Sequence, residues 1–428
     1  MRQKLVAIVT VFFLLLCANP VWADVNLNIN GNNFAPRTAP QLENGTTMVP
    51  LYLIGRVLGA DIDIADNLVT IKKGPATLQF TLGDTKASLN GIKMIMPQAP
   101  TMVNDEVMVP LRFICEAFGA TITWEQSSKT AGVQYSEKRQ GMSIEEIMVK
   151  SSEAMIKNQT YKADVNISMD MEITNVAKQE TVHAITNMDM YMAMHQQPLI
   201  AYIKTTIDSP AVPEAHDLAL SATTEVFMNE EGMFMTLPEE EGWFKMSIPG
   251  MDMKTLIEQS NTNDPIASMK MMQESGAIMS FGDDQERDGR SYWVINVTMG
   301  AESFNKLFES VMNQMPTMPE MEDGQDFNQD MTQMMQTLFK NMKADIVYRV
   351  WVDQANLVPT FMDLEANIDL KMPATTFGDE VSDPIEMHLI ETAYYEIYDI
   401  GEPFDIPDVS QARDLNEYMA QQMTDAQI

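Results

Sequence analysis

From Ala163 to Ile173, apolar and polar residues alternate without a break. Ala163, Val165, Ile167, Met169, Met171 and Ile173 hold one phase; Asp164, Asn166, Ser168, Asp170 and Glu172 hold the other. Successive side chains of an extended strand point to opposite faces, so this period predicts a long β-strand with one apolar and one wet face. Met188, Met190, Met192 and Met194 repeat the pattern. So do Met362, Leu364, Ala366, Ile368, Leu370 and Met372, set against Asp363, Glu365, Asn367, Asp369 and Lys371. Strands this long and this regular predict a large antiparallel sheet. Further strands are expected near 198–207, 219–228, 232–237, 291–298, 345–353 and 385–398.

Three helical signals interrupt the strands. Ser143 and Glu146 have the spacing of a capping box, and Ile144, Ile147, Met148, Ser151 and Met155 line one face of the helix it would open. Phe304, Leu307, Phe308, Val311, Met312 and Met315 form a second stripe. Phe327, Met331, Met334, Met335, Leu338, Phe339 and Met342 form a third. Residues 140–428 therefore read as an α+β domain, a curved antiparallel half-barrel with helices on one face.

The preceding segment carries an internal repeat. Asn30-Gly31, Met48-Val49-Pro50-Leu51 and Gly59-Ala60 recur 60 residues later as Asn90-Gly91, Met108-Val109-Pro110-Leu111 and Gly119-Ala120. Each copy reads as a hairpin at Asn-Gly, a short helix opened by Pro and stopped by Gly, and two more strands. Residues 24–139 are thus expected to be a small duplicated domain of two units of about 60 residues, each with sheet packed on a helix.

At Val109-Pro110-Leu111-Arg112-Phe113-Ile114, with Phe118-Gly119-Ala120 and Trp124-Glu125, this domain resembles the copper amine oxidase N-terminal (stalk) domain family over residues 25–138. The resemblance implies an accessory module for attachment or interaction at a cell envelope, with a cell-wall or envelope-protein partner. It implies no copper site, and residues 24–139 contain no histidine. Val350-Trp351-Val352-Asp353 followed by Leu357-Val358-Pro359 resembles a strand–turn–strand of the lipoprotein-carrier (LolA/LppX-like) fold, over residues 143–400. That resemblance implies a hydrophobic cavity for a lipid or acyl ligand.

The N-terminus reads as a secretory leader. Arg2 and Lys4 precede an apolar run from Leu5 to Leu16, and Val21-Trp22-Ala23 suits cleavage before Asp24. The run is shorter than the roughly 20 residues of a membrane span. No later stretch is long and apolar enough to be a span, so an extracytoplasmic, non-membrane chain is expected. Leu16 stands where a lipoprotein signal has a small residue, which argues against lipidation of Cys17. Cleavage leaves Cys115 alone, in the apolar run Phe113-Ile114-Cys115, as an inert core thiol.

Residues 24–139 carry 10 Lys/Arg and 11 Asp/Glu, whereas residues 140–428 carry 16 and 50, a net of −34. A field of that sign repels phosphate backbones and excludes a nucleic-acid partner. No Gly-x-Ser-x-Gly, His-Glu-x-x-His or phosphate-loop pattern occurs, and His183, His195, His216 and His388 lack ligand spacing. The expectation is a binding or scaffolding protein without cofactor, not an enzyme.

Methionine is the compositional anomaly: 39 in the chain, 33 of them after residue 139. Three readings stay open. Met169, Met171, Met188, Met190, Met192, Met194 and Met362 would line a site for varied apolar ligands, since thioether side chains are flexible and polarizable. They would equally fill an ordinary solid core. Soft sulfur also selects Cu(I), and Met312, Met315, Met318 and Met321, spaced by three, or Met190, Met192 and Met194 with His195, would then be the ligands.

Overall fold

The computed structural model describes residues 25–209, 220–238, 240–246, 270–272, 274–314, 342–372 and 384–425. The expected leader and the third helical stripe up to residue 341 lie outside them. The chain divides into two compact units whose main boundary in sequence lies between Tyr135 and Ser136, with Arg56–Asp61 grouped with the second. Both are mostly β, with few helices, so strand content exceeds what an α+β reading suggests.

The first unit contains β1 (Asn26–Ile29), β2 (Asn32–Phe34), β3 (Gln41–Glu43), β4 (Thr46–Pro50), helix α1 (Leu51–Leu58), β5 (Asp61–Ala65), β6 (Leu68–Lys73), β7 (Ala76–Thr81), β8 (Lys86–Leu89), β9 (Ile92–Ile95), β10 (Thr101–Val103), β11 (Glu106–Pro110), helix α2 (Leu111–Ala117), β12 (Thr121–Glu125) and β13 (Thr130–Gln134). The Asn-Gly pairs turn two hairpins, β1–β2 and β8–β9. Asn30, Gly31, Asn90 and Gly91 all have positive φ, as a two-residue type I′ turn requires. Pro50 and Pro110 immediately precede their helices, and Gly59 and Gly119 follow them with φ of 63° and 87°.

The strands, expected as two units of sheet on helix, form three sheets: β12-β13-β1-β2, β10-β11-β4-β3 and β5-β6-β7-β8-β9. Strands from one 60-residue segment complete the sheets of the other. β1 pairs in parallel with β13, from Asn26↔Thr130 to Ile29↔Val133. β4 and β11, the two Met-Val-Pro segments, pair with each other at Val109↔Val49. Met48, Val49, Leu53, Ile54, Leu58, Met108, Val109, Leu111, Ile114 and Cys115 are buried. Cys115 is a free thiol with no exposed surface. Burial, with a smaller push from the Glu116 charge, raises its pKa to about 12.

The second unit opens with helix α3 (Ile144–Asn158). Its capping box is formed: Glu146 N donates to Ser143 Oγ (3.3 Å), and Ser143 N donates to Glu146 Oε2 (2.8 Å). One sheet follows, from β14 (Thr160–Asn175), β15 (Glu180–His195), β16 (Ile200–Ser209), β17 (Leu220–Asn229), β18 (Gly232–Met235), β19 (Phe244–Met246), β20 (Ile278–Phe281), β21 (Gln285–Arg287), β22 (Arg290–Gly300), β23 (Met342–Asp353), β24 (Pro359–Met372), β25 (Ile385–Tyr398) and β26 (Arg413–Asp414). Helix α4 (Ala301–Gln314) follows β22, and helix α5 (Leu415–Asp425) ends the described chain.

The strand order is β20-β22-β23-β24-β25-β14-β15-β16-β17-β18-β19-β26, with β21 beside β22. Among the described residues of this sheet the strands pair antiparallel, except β19 with β26. The first long strand, β14, sits mid-sheet against the last, β25, over fourteen paired positions. Met342, read from the sequence as the end of a helical stripe, instead opens β23. It pairs with Leu370, because continuing the apolar face of β24 outweighs its local helical spacing. The Val350–Pro359 segment is the expected strand, turn and strand, with a register shift between Trp351 and Val352.

Candidate functional site

Register gathers the alternating stretches onto one face. Val165 lies between Met190 and Tyr395, Ile167 between Met188 and Ala393, and Ala163 between Met192 and Ile397. Across β24, Tyr395 meets Met362 and Ala393 meets Leu364. The face continues through Ile203 and Ile207 to Val226 and Met235 on one side. On the other it runs through Val350 and Ile346 to Ile295 and Met299.

Helices cover the two ends of this face. At the β20–β24 end, Ile144 and Ile147 of α3 join Phe281, Trp293, Ile295, Val297, Val350 and Val352 in a buried cluster, with Phe304 and Leu307 of α4 packed on it. At the other end, buried Phe244 packs against Tyr418 of α5, the rings tilted by 56° with centroids 4.9 Å apart. The Arg413 guanidinium stands 4.2 Å from the Phe244 ring, and Tyr418 Oη donates to Glu240 (2.6 Å). Helix α5 was not foreseen: Leu415, Tyr418 and Met419 make too short a stripe to separate from a loop.

Between these caps the face is half-buried and methionine-rich. Met169, Met171, Met188, Met190, Met192 and Met194 all lie on it. Met362 shares the face but packs against the solid cluster at the α3 end. The seven candidates therefore divide: six line the stretch between the caps, and one belongs to the core beside it.

One residue on this stretch was missed. Glu391 occupies an inward position of β25, paired with Met169 on one side and Ala366 on the other. Burial raises its pKa from the ordinary carboxylate value. The signal was present in the sequence: in Ile385-x-Met387-x-Leu389-x-Glu391-x-Ala393-x-Tyr395, it is the one acid in the apolar phase.

His195 stands apart from the methionine rungs of the copper reading. As the residue after Met194, it points to the opposite face, and its Nδ1 lies 2.7 Å from the Pro198 carbonyl. Met315, Met318 and Met321 lie outside the described residues, as does the side chain of Met312. His183 faces Glu172 at 3.7 Å and His388 faces Asp369 at 2.7 Å, both on the outer face; His216 lies outside the described residues. Among the described residues, no group of three His, Cys, Asp or Glu side chains is placed to hold a metal ion. None of the described helices is long and apolar enough to cross a membrane.

The outer face is not uniformly wet, as alternation alone predicts. Tyr292, Trp351, Phe361 and Tyr394 cluster there, with ring centroids 5.6 to 6.2 Å apart. Arg287 stands 4.1 Å over Phe361 and donates to Tyr394 Oη (2.6 Å). The first unit has a separate groove of about 440 Å³ between edge strands β3 and β12. Leu42, Pro97 and Trp124 line it, with Arg112 and Lys129 beside them.

Residues 28–133 match the model of the copper amine oxidase N-terminal domain. Residues 143–410 match a family of unknown function (DUF6612), and the chain belongs to that family. No curated protein matches it. Among solved structures it is similar to the Mycobacterium tuberculosis lipoprotein LppX (10% identity, 61% of this chain, 96% of that one, TM-score 0.27). It is similar also to LprF from Mycobacterium bovis (11%, 62%, 95%, 0.28) and to a putative outer membrane lipoprotein-sorting protein domain from Vibrio parahaemolyticus (10%, 65%, 99%, 0.18). At these scores, the account of the fold rests on the strand order and register given above.

Proposed function

We propose that the second unit is a carrier or sensor that holds a lipid or acyl chain against the methionine-rich face, and that the protein is a binding protein, not an enzyme. The observation that carries this reading is the contrast along one face. Its two ends are sealed by helices, while the stretch between them stays half-buried over β25, β14, β15 and β16. Unbranched thioether side chains repack around chains of differing shape.

On this reading residues 1–23 are an export leader, residues 24–139 a duplicated stalk-like domain and residues 140–428 the carrier. The groove beside Trp124 would be the stalk domain's contact with cell wall or an envelope protein. The function is exercised outside the cytoplasm.

The test is native mass spectrometry of the chain purified from its own envelope, followed by organic extraction. A co-purifying lipid or acyl species that extraction removes supports the carrier. A bare mass that takes up neither lipid nor Cu(I) on titration leaves a solid-cored envelope scaffold.

A further inference from the structure

Glu391 stands in the middle of an apolar surface. On the strands from β22 to β17, the inward positions are aliphatic, methionine, aromatic, alanine or hydroxyl residues almost throughout. Apart from Glu180 at the tip of the β14–β15 hairpin, Glu391 is the one carboxylate among the described residues of this face. Its row reads Ile346, Ala366, Glu391, Met169, Thr186 across five strands. Nothing in that row donates to it, and Glu391 has no hydrogen-bond or ion-pair partner among the described residues.

A half-buried acid without a partner costs stability. Ala366 beside it is small, buried and apolar, and offers the acid no polar partner from the β24 side. The neighbouring ionisable group on its own strand is Tyr395, a weak acid whose own deprotonation is opposed by burial and by Glu391. No cation neutralises the acid from β14 or β24, where Met169 and Ala366 face it.

We infer that Glu391 is the polar anchor of the ligand site and selects amphiphiles whose polar group donates hydrogen bonds, an ammonium or a hydroxyl, over those ending in a carboxylate or phosphate. The apolar chain would lie along the methionine rungs of β14 and β15, with its donor at Glu391. A charge-assisted bond forms there in a partly desolvated setting, while an anionic group meets a like charge that water screens only in part. This inference rests on the carrier reading and narrows it to a ligand class.

The experiment is calorimetric titration of the full chain below micellar concentration with three probes of equal chain length: tetradecylammonium, tetradecanol and tetradecanoate. The expected order is ammonium, then alcohol, then carboxylate, with about tenfold or more between the extremes, equivalent to about 1.4 kcal/mol. Glu391→Gln brings the three within about twofold of one another while alkyl binding persists. Glu396→Gln, on the outer face of the same strand, removes equal charge and leaves the order intact. If Glu396→Gln also erases the preference, the general acidity of the domain is responsible and the anchor is overturned. Equal binding of all three probes to the native chain overturns the anchor alone. Binding of none overturns the carrier reading with it. The ammonium and alcohol arms separate an ionic from a neutral donor. A thermal melt of each variant checks that it is folded.

Discussion

Glu391 of β25 lies directly across from Met169 of β14, on the face where neighbouring rungs pair Ile167 with Ala393 and Met171 with Leu389. Burial raises the Glu391 pKa, so the folded state favours the neutral acid. The sign of the pH effect follows. Below the unfolded carboxylate pKa of about 4.3 the group is protonated in both states and exacts no penalty. As pH rises through the raised folded pKa, stability is lost. Glu391→Gln should therefore match the native melting temperature at acid pH and exceed it near neutrality. The gain is under about 1 kcal/mol, since the group is half exposed and solvent-screened. Parallel melting curves across the pH range would sink the assignment.

Ile147 and Met190 test whether the face is solid. Ile147 is fully buried in the α3 cluster, so Ile147→Ala should cost about 2–5 kcal/mol. Met190 is half-buried between the caps, and Met190→Ala should cost about 1 kcal/mol or less in extracted protein, by denaturant titration. Equal costs would mean that the methionine stretch is ordinary core.

Arg287 joins the outer aromatic cluster through its planar guanidinium, over Phe361 and bonded to Tyr394. Arg287→Ala should lower stability by about 1 kcal/mol, and Arg287→Lys should recover less than half of that, because an ammonium lacks the stacking plane. Full recovery by lysine in chemical denaturation would show that charge alone matters.

Cys115 should resist a thiol reagent in the native protein and react fully in denaturant. Burial holds its pKa at about 12 and keeps the thiolate scarce at neutral pH. Native-state labelling at the rate of a free thiol contradicts this.

Trp124 lines the first unit's groove with its indole nitrogen bonded to Gln126 (2.8 Å). If the groove is the attachment surface, Trp124→Ala should reduce recovery of the protein with isolated envelopes several-fold without lowering ligand uptake by the second unit. Unchanged sedimentation with envelopes would move attachment elsewhere.

Much of this protein was legible in one dimension. Alternation at Ala163–Ile173 and Met362–Met372 names the apolar face of each strand, because a pleated strand offers its side chains only two directions. The Asn-Gly turns, the Pro and Gly bounding α1 and α2, and the Ser143–Glu146 box are local devices whose geometry lies within a few residues. The break in alternation at Glu391 was equally visible.

Tertiary structure alone decided what those faces meet. How a methionine is packed depends on what covers it, so Met362 meets the α3 cluster and Met190 is not among its neighbours, although their local patterns are alike. Met342 became strand because β24 offered a continuing face, and His195 left the methionines because one residue of phase reverses a side chain. In the first unit β1 pairs with β13 and β4 with β11, partners that lie far apart in the sequence. Glu391 acquired its meaning only when β25 paired with β14, more than 200 residues earlier in the chain. Such contacts depend on loop closure and packing across the whole fold, which no local pattern encodes.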